Sequence, residues 1–242
     1  MSKMGAEFDA IFKKSWVFLK KYWLGIFCIT FISEGVVAFA NKWWSQYVNT
    51  MNLDFLGFIE GFAHGVISFF VISLLTPIGK SCMAYYFHKK ENGENISGPS
   101  AYLSALKMLP FLLVASALWF LGTLLGLAVL IIPGLWFFFS SQFVAHAIMV
   151  DRLGVIEAFK RSRSLVAKGF GAVVIVFLLL EITQGIFGGF VTSVILAILP
   201  ILGQHQYFVD WFVAIFTGAI VYVPLAVMYL ERRKLFADSA QM

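Results

Sequence analysis

Eight side chains that could move a proton, hold a cation or anchor a ligand lie within or at the edge of otherwise apolar stretches: Glu34, Glu60, His64, Gln142, His146, Glu181, Gln184 and Asp210. In a membrane an ionisable group costs roughly 3 kcal/mol at a helix centre, so it usually faces a bundle interior or water. Glu60 and His64 are four residues apart and share a helical face. They read either as proton or cation ligands or as a mutually bonded pair that supports packing. Gln142 and His146 have the same spacing, but one imidazole and one amide make a poor metal site, and packing is the favoured role. Glu34 and Glu181 each fall about 12 residues into their apolar run, or ~18 Å along a helix. Both are expected in the outer half of the membrane, facing one interior that Glu60, His64 and Asp210 also border. With no basic residue expected in reach, these acids must be protonated, hydrated or cation-bound. The alternative is that each glutamate is separately hydrogen-bonded to a neighbouring helix. No particular metal is implied.

Catalytic signatures are missing. Gly79-Lys80-Ser81 ends like a phosphate-binding loop, but Leu74 stands where that loop needs its first glycine. There is no zinc-spaced Cys pair, nucleophile elbow or His-Glu-x-x-His. No catalytic residue is assigned, no cofactor is expected, and the chain reads as a non-enzyme. Cys28 and Cys82 are too few and too far apart for a disulfide framework and read as packing residues.

The elements that must position these residues follow from composition. Of 242 residues 60% are hydrophobic and 13% charged, with a mean hydropathy of +0.87; a soluble domain carries about 25% charged residues. Six apolar runs, 22–40, 55–79, 109–132, 134–150, 170–199 and 208–230, approach or exceed the ~20 helical residues that span a bilayer. They are continuous rather than alternating, so an all-α, six-span membrane protein is expected, not a barrel. The fourth run is short; the fifth is long enough to be tilted or broken at Gly188-Gly189. Pro133-Gly134 reads as the turn between the third and fourth. Seventeen of the 18 basic residues fall before the first run, between the second and third, between the fourth and fifth, or after the sixth; Lys42 is the exception. Positive charge marks the cytoplasmic side, so both termini are expected there. The net charge of +5 is therefore a topology signal, and no nucleic-acid partner is expected. The N-terminal lysines and apolar run imitate a signal peptide but read as an uncleaved first span.

Three amphipathic stretches, around residues 8–21, 100–108 and 155–168, lead into pairs of runs. Such elbows lie in the interface, where Lys13, Lys14, Lys160 and Arg161 are expected to meet anionic lipid head groups. Phe12-Lys13-Lys14-Ser15 aligns with Phe159-Lys160-Arg161-Ser162 at an offset of 147, which also pairs Glu34 with Glu181. The chain thus reads as one integral membrane domain with parallel repeat units 5–80, 99–150 and 154–234.

Ile132-Pro133-Gly134, an aromatic span, Asp151, and then Glu157-Ala158-Phe159-Lys160-Arg161-Ser162 with Leu165-Val166 form a pattern over roughly residues 132–170. It resembles the integral membrane domain of some bacterial glycerophosphodiester phosphodiesterases and related stand-alone inner-membrane proteins. The resemblance implies six spans with cytoplasmic elbows in a bacterial inner membrane, without the phosphodiesterase chemistry. Two functions are consistent with these readings. One is a non-enzymatic protein supporting envelope or lipid homeostasis, in contact with lipids and another membrane protein. The other is a small transporter or channel that uses Glu34, Glu60 and Glu181 for proton or cation coupling. A sealed interior favours the first and a cavity reaching Glu34 or Glu181 the second.

Overall fold

A computed structural model describes residues 3–48 and 75–238, and these are helical with short connections. In chain order they form α1 (Lys3–Val48), α2 (75–91), α3 (Gly98–Lys107), α4 (Leu109–Val129) and α5 (Ile131–Ser140). There follow α6 (Val144–Asp151), α7 (Val155–Ala167), α8 (Phe170–Ile198), a 3-10 turn (Pro200–His205) and α9 (Gln206–Asp238). Five stretches among the described residues are long and apolar enough to cross a membrane: Glu7–Ala38, Leu109–Val129, Ile131–Asp151, Phe170–Ile198 and Gln206–Leu235. The described residues form no strand, and these five helical stretches give the chain the form expected of a membrane protein. Most of the second expected run, 55–74, lies outside the described residues.

Each elbow meets its span at a backbone break. Tyr22 leaves helical geometry within α1 (φ −123°, ψ 23°), Met108 separates α3 from α4, and Gly169 (φ −168°, ψ 51°) stands between α7 and α8. A lysine precedes each break: Lys21, Lys107 and Lys168. Tyr22 and Gly169 are themselves 147 residues apart, and burial runs in the same register around them. Ile11 pairs with Ala158, Ser15 with Ser162, Ile26 with Val173 and Ile29 with Val176, all buried. The second unit follows at an offset of 86, with Ala101, Leu112 and Ala115 buried in turn. In that register Phe120 takes the place that Glu34 and Glu181 occupy in the other two units.

The elbows turn one face to the bundle through Ile11, Ser15 and Phe18, or Ala158, Ser162 and Leu165, while Phe12, Trp16, Val17 and Ile156 are exposed. The returning helices α2, α6 and α9 are buried almost all round near the elbows, through residues such as Met83, Phe87, Met149 and Tyr229.

Several boundaries differ from those read in the sequence. The turn before α5 is at Leu130 (φ −155°, ψ 142°), and Pro133-Gly134 lies in the first turns of that helix. Proline needs no amide partner there, and Gly134 lets α4 and α5 touch. A Cβ on Gly134 would stand 2.5 Å from the Leu127 nitrogen, and one on Gly126 would stand 2.7 Å from the Gly134 Cα. The fourth run is longer than expected but discontinuous, broken at residues 141–143 between α5 and α6. By contrast α8 continues unbroken through Gly188-Gly189. The helix α2 reaches Glu91 rather than ending at Gly79, so a repeat unit closing at residue 80 would cut it.

Candidate functional site

The expected depth of Glu34 and Glu181 follows from the breaks, since each stands 12 residues beyond one. The structure brings them within electrostatic reach of each other. Between them comes a residue that the charge count had assigned to a cytoplasmic connection. Lys80 lies eleven residues before α2 ends, ~16 Å along the helix axis. Its ammonium stands 3.2 Å from Glu181 Oε1, with its side chain only 16% exposed, and its charge also acts on Glu34. The expectation that no basic residue reaches the acids is therefore wrong. It rested on ending the second run at Gly79, where hydropathy falls because Lys80 follows.

Tyr222 of α9 donates to Glu34 Oε1 at 2.8 Å. Two glycines make room for this contact. A Cβ on Gly218 would stand 2.8 Å from Glu34 Oε1, and one on Gly79 would collide with Ser33 Oγ. The result is two carboxyls, one ammonium and one phenol where α1, α2, α8 and α9 converge.

Two cavities meet at Glu181. One, of about 330 Å³, is lined by Lys80 and Glu181, by the apolar walls of Ala115, Trp119, Phe138 and Phe177, and by Ser116, Ser141, Gln142 and His146. The other, of about 370 Å³, runs between α8 and α9 past Gln184, Gly185, Gly188 and Thr192 to Asp210. Gly188-Gly189 thus opens a groove instead of breaking a helix.

The first cavity sits against the break between α5 and α6. Non-helical backbone at membrane depth is tolerated where protein buries it or where it lines a cavity. Ser162 of α7 supplies part of the cover: its hydroxyl donates to the Ser140 carbonyl at 2.8 Å and accepts from the Phe143 amide at 3.0 Å. Beyond the break, His146 is 2% exposed and neither ring nitrogen has a hydrogen-bond partner among the described residues. The Gln142 carbonyl one turn earlier influences the ring but does not meet hydrogen-bond geometry. The packing role expected for Gln142 and His146 leaves this imidazole unexplained.

Glu60 and His64 lie outside the described residues. Asp210 is exposed at the far end of the second cavity. Among the described residues no cluster of three or more His, Cys, Asp or Glu could hold a metal ion.

The four residues expected at lipid head groups divide. Lys13 is exposed and pairs with Asp9 at 2.7 Å, and Lys160 is exposed. Lys14 instead bridges Glu91 and Glu231, and Arg161 faces Asp151 at 3.8 Å. Asp151 also accepts from Tyr229 and Arg233. Lys14 and Arg161 are equivalent at the 147 offset, and both hold an elbow to the end of a returning helix. Helical spacing marks them as polar-face residues but cannot reveal acids that lie far away in sequence.

Burial alone would raise the pKa of Glu91, but contacts with Lys14 and Lys234 outweigh it, and the carboxyl titrates below its ordinary value. A lowered carboxylate stabilises the fold above its unfolded pKa, about 4.3, and that stability disappears as pH falls through the folded value. Glu91→Gln is accordingly expected to lower the unfolding temperature in detergent at pH 7. The gap from the unsubstituted protein should close as acid protonates Glu91. A gap independent of pH would dissociate Glu91 from these ion pairs.

Residues 96–231, more than half of the chain, match the family described as Domain of unknown function (DUF7847). The chain belongs to that family. No curated protein and no solved structure matches it. Nothing in these comparisons ties it to the membrane domain of glycerophosphodiester phosphodiesterases.

Proposed function

We propose that this member of the DUF7847 family is a small transporter or channel that couples a proton or cation to its intramembrane carboxylates. It crosses a bacterial inner membrane six times, with both termini in the cytoplasm. The observation that carries this reading is the charge count where the cavities meet. Among the described residues the ammonium of Lys80 pairs with Glu181 and its charge also acts on Glu34, so carboxyls outnumber ammonium groups there by one. An uncompensated charge away from water is expensive, and a proton or a cation is the simplest compensation. A purely supporting role, in which the protein only docks a partner or shapes lipid, calls for a packed interior. Two cavities joined at an acidic residue fit passage better.

The topology proposed here has support from the ion pairs. Glu7 and Lys14 near the chain start, Glu91 at the end of α2, Asp151 at the end of α6, and Glu231 to Lys234 near the end of α9 contact one another in a single belt. The start of the first span and the ends of the returning helices therefore lie together, as an even number of crossings requires. Sixteen basic residues remain on that end once Lys80 is counted inside the membrane, which is the pattern of a cytoplasmic face.

The test is flux. Liposomes holding the purified full chain and a pH-sensitive dye are polarised with potassium and valinomycin, with sodium and potassium fluxes followed in parallel. A proton or cation flux above protein-free liposomes is expected, reduced at least tenfold by Glu181→Gln. Fluxes equal to empty liposomes for all three ions would overturn the proposal.

A further inference from the structure

We propose that the cavity at the break in the fourth span binds a small, neutral, largely apolar molecule carrying one hydrogen-bonding group, which His146 and Gln142 receive. Three observations lead there independently of the carboxylates. His146 is fully buried, lines the cavity and has neither ring nitrogen satisfied among the described residues. A buried polar group left without a partner is costly, and native structures rarely keep one without a use. Second, the helix is interrupted one turn before this histidine. Breaks of this kind in spanning helices commonly form binding sites near the membrane midplane. Third, the wall chemistry is amphipathic. Trp119, Phe138 and Phe177 supply apolar surface, while Ser116 and Ser141 add hydroxyls.

The ligand class follows from these features. A neutral imidazole offers one donor and one acceptor. The amide nitrogen of Gln142 gives one N–H to the Phe138 carbonyl at 3.3 Å, which leaves its oxygen to accept and its second N–H to donate. A ligand O–H can thus donate to the Gln142 oxygen and accept from an imidazole N–H, whereas a ligand N–H only donates. At ~30 Å³ per water-sized unit, 330 Å³ holds roughly ten non-hydrogen atoms. A phenol or an indole matches that size, with its ring against the aromatic wall. A charged ligand would have to break the Lys80–Glu181 pair to be compensated, so a neutral one is the better fit.

The probe is 4-ethylphenol, with ethylbenzene as its counterpart lacking the hydroxyl, titrated calorimetrically into the full chain in lipid nanodiscs, with empty nanodiscs subtracted. Saturable binding of the phenol is expected at least tenfold tighter than that of ethylbenzene. His146→Phe should erase that preference. Ala115→Leu, which adds bulk to the cavity lining, should weaken both probes and serves as the second variant if His146→Phe does not fold. The idea is overturned if the phenol does not saturate, if both probes bind equally, or if neither variant changes binding; water alone would then occupy the cavity. Phenol binding and ion flux are separate readouts on the unsubstituted chain, so failure of one proposal leaves the other standing.

Discussion

Replacing Lys80 by Met is expected to destabilise the protein by about 3 kcal/mol, and adding Glu181→Gln to the same chain should recover most of that loss. Removing one partner of a buried ion pair leaves its counter-charge uncompensated, which typically costs 3–5 kcal/mol, whereas removing both is often near neutral; Glu181 is 38% exposed, so the low end of that range applies. The two single substitutions should also differ. Lys80 pairs with Glu181 and its charge also acts on Glu34, so its loss falls mainly on Glu181 and less on Glu34, which keeps Tyr222. Glu181→Gln alone leaves Lys80 with Glu34, which Tyr222 continues to hold. That single change should cost about 1 kcal/mol, the scale of one net hydrogen bond. Equilibrium unfolding in mixed micelles provides the comparison. A double variant no more stable than Lys80→Met would mean that the two residues do not stabilise each other.

The same site shows what could be read from residues alone. Glu34 and Glu181 were legible because polar residues in apolar runs are rare and a constant offset relates the two copies. The 147 offset also pairs the backbone breaks at Tyr22 and Gly169. Lys80 was not legible, because hydropathy places a lysine at the end of a run whether it reaches solvent or turns inward to an acid. Distinguishing these cases requires the partner, and Glu181 is a hundred and one residues away. The break in the fourth span was hidden for a related reason. Ser140 to Phe143 carry no glycine or proline, and the residue that satisfies the freed backbone groups is Ser162 on another element. Local sequence records propensity; it does not record a donor supplied from elsewhere in the fold.

Arg232 extends that lesson, because its position after the sixth apolar run marks it only as a topology charge. In the structure it is 7% exposed and joins three elements. One guanidinium nitrogen donates to the Leu165 carbonyl in the last turn of α7 at 3.0 Å. Another donates to the Gly169 carbonyl at 3.3 Å and to Glu7 in the first elbow at 2.7 Å. The last carbonyls of a helix have no partner within it, so Arg232 caps α7 at the break where α8 begins. Gly169 is fitted to this contact, since a Cβ there would stand 2.6 Å from the guanidinium. Arg232→Leu should therefore cost about 2 kcal/mol, mostly from the buried Leu165 carbonyl left without its donor at 1–3 kcal/mol, since the half-buried Gly169 carbonyl keeps the Val173 amide at 3.2 Å. Glu7 is a third exposed and can rehydrate, so its share is small. Arg232→Lys keeps the charge but not the fork of donors, and should recover less than half of the loss. Gly169→Ala, which displaces the guanidinium without removing it, should fall between the two. Unfolding measured in one detergent for all three variants tests the order. Equal stability of Arg232→Lys and the unsubstituted chain would reduce Arg232 to a positive charge that orients the last span.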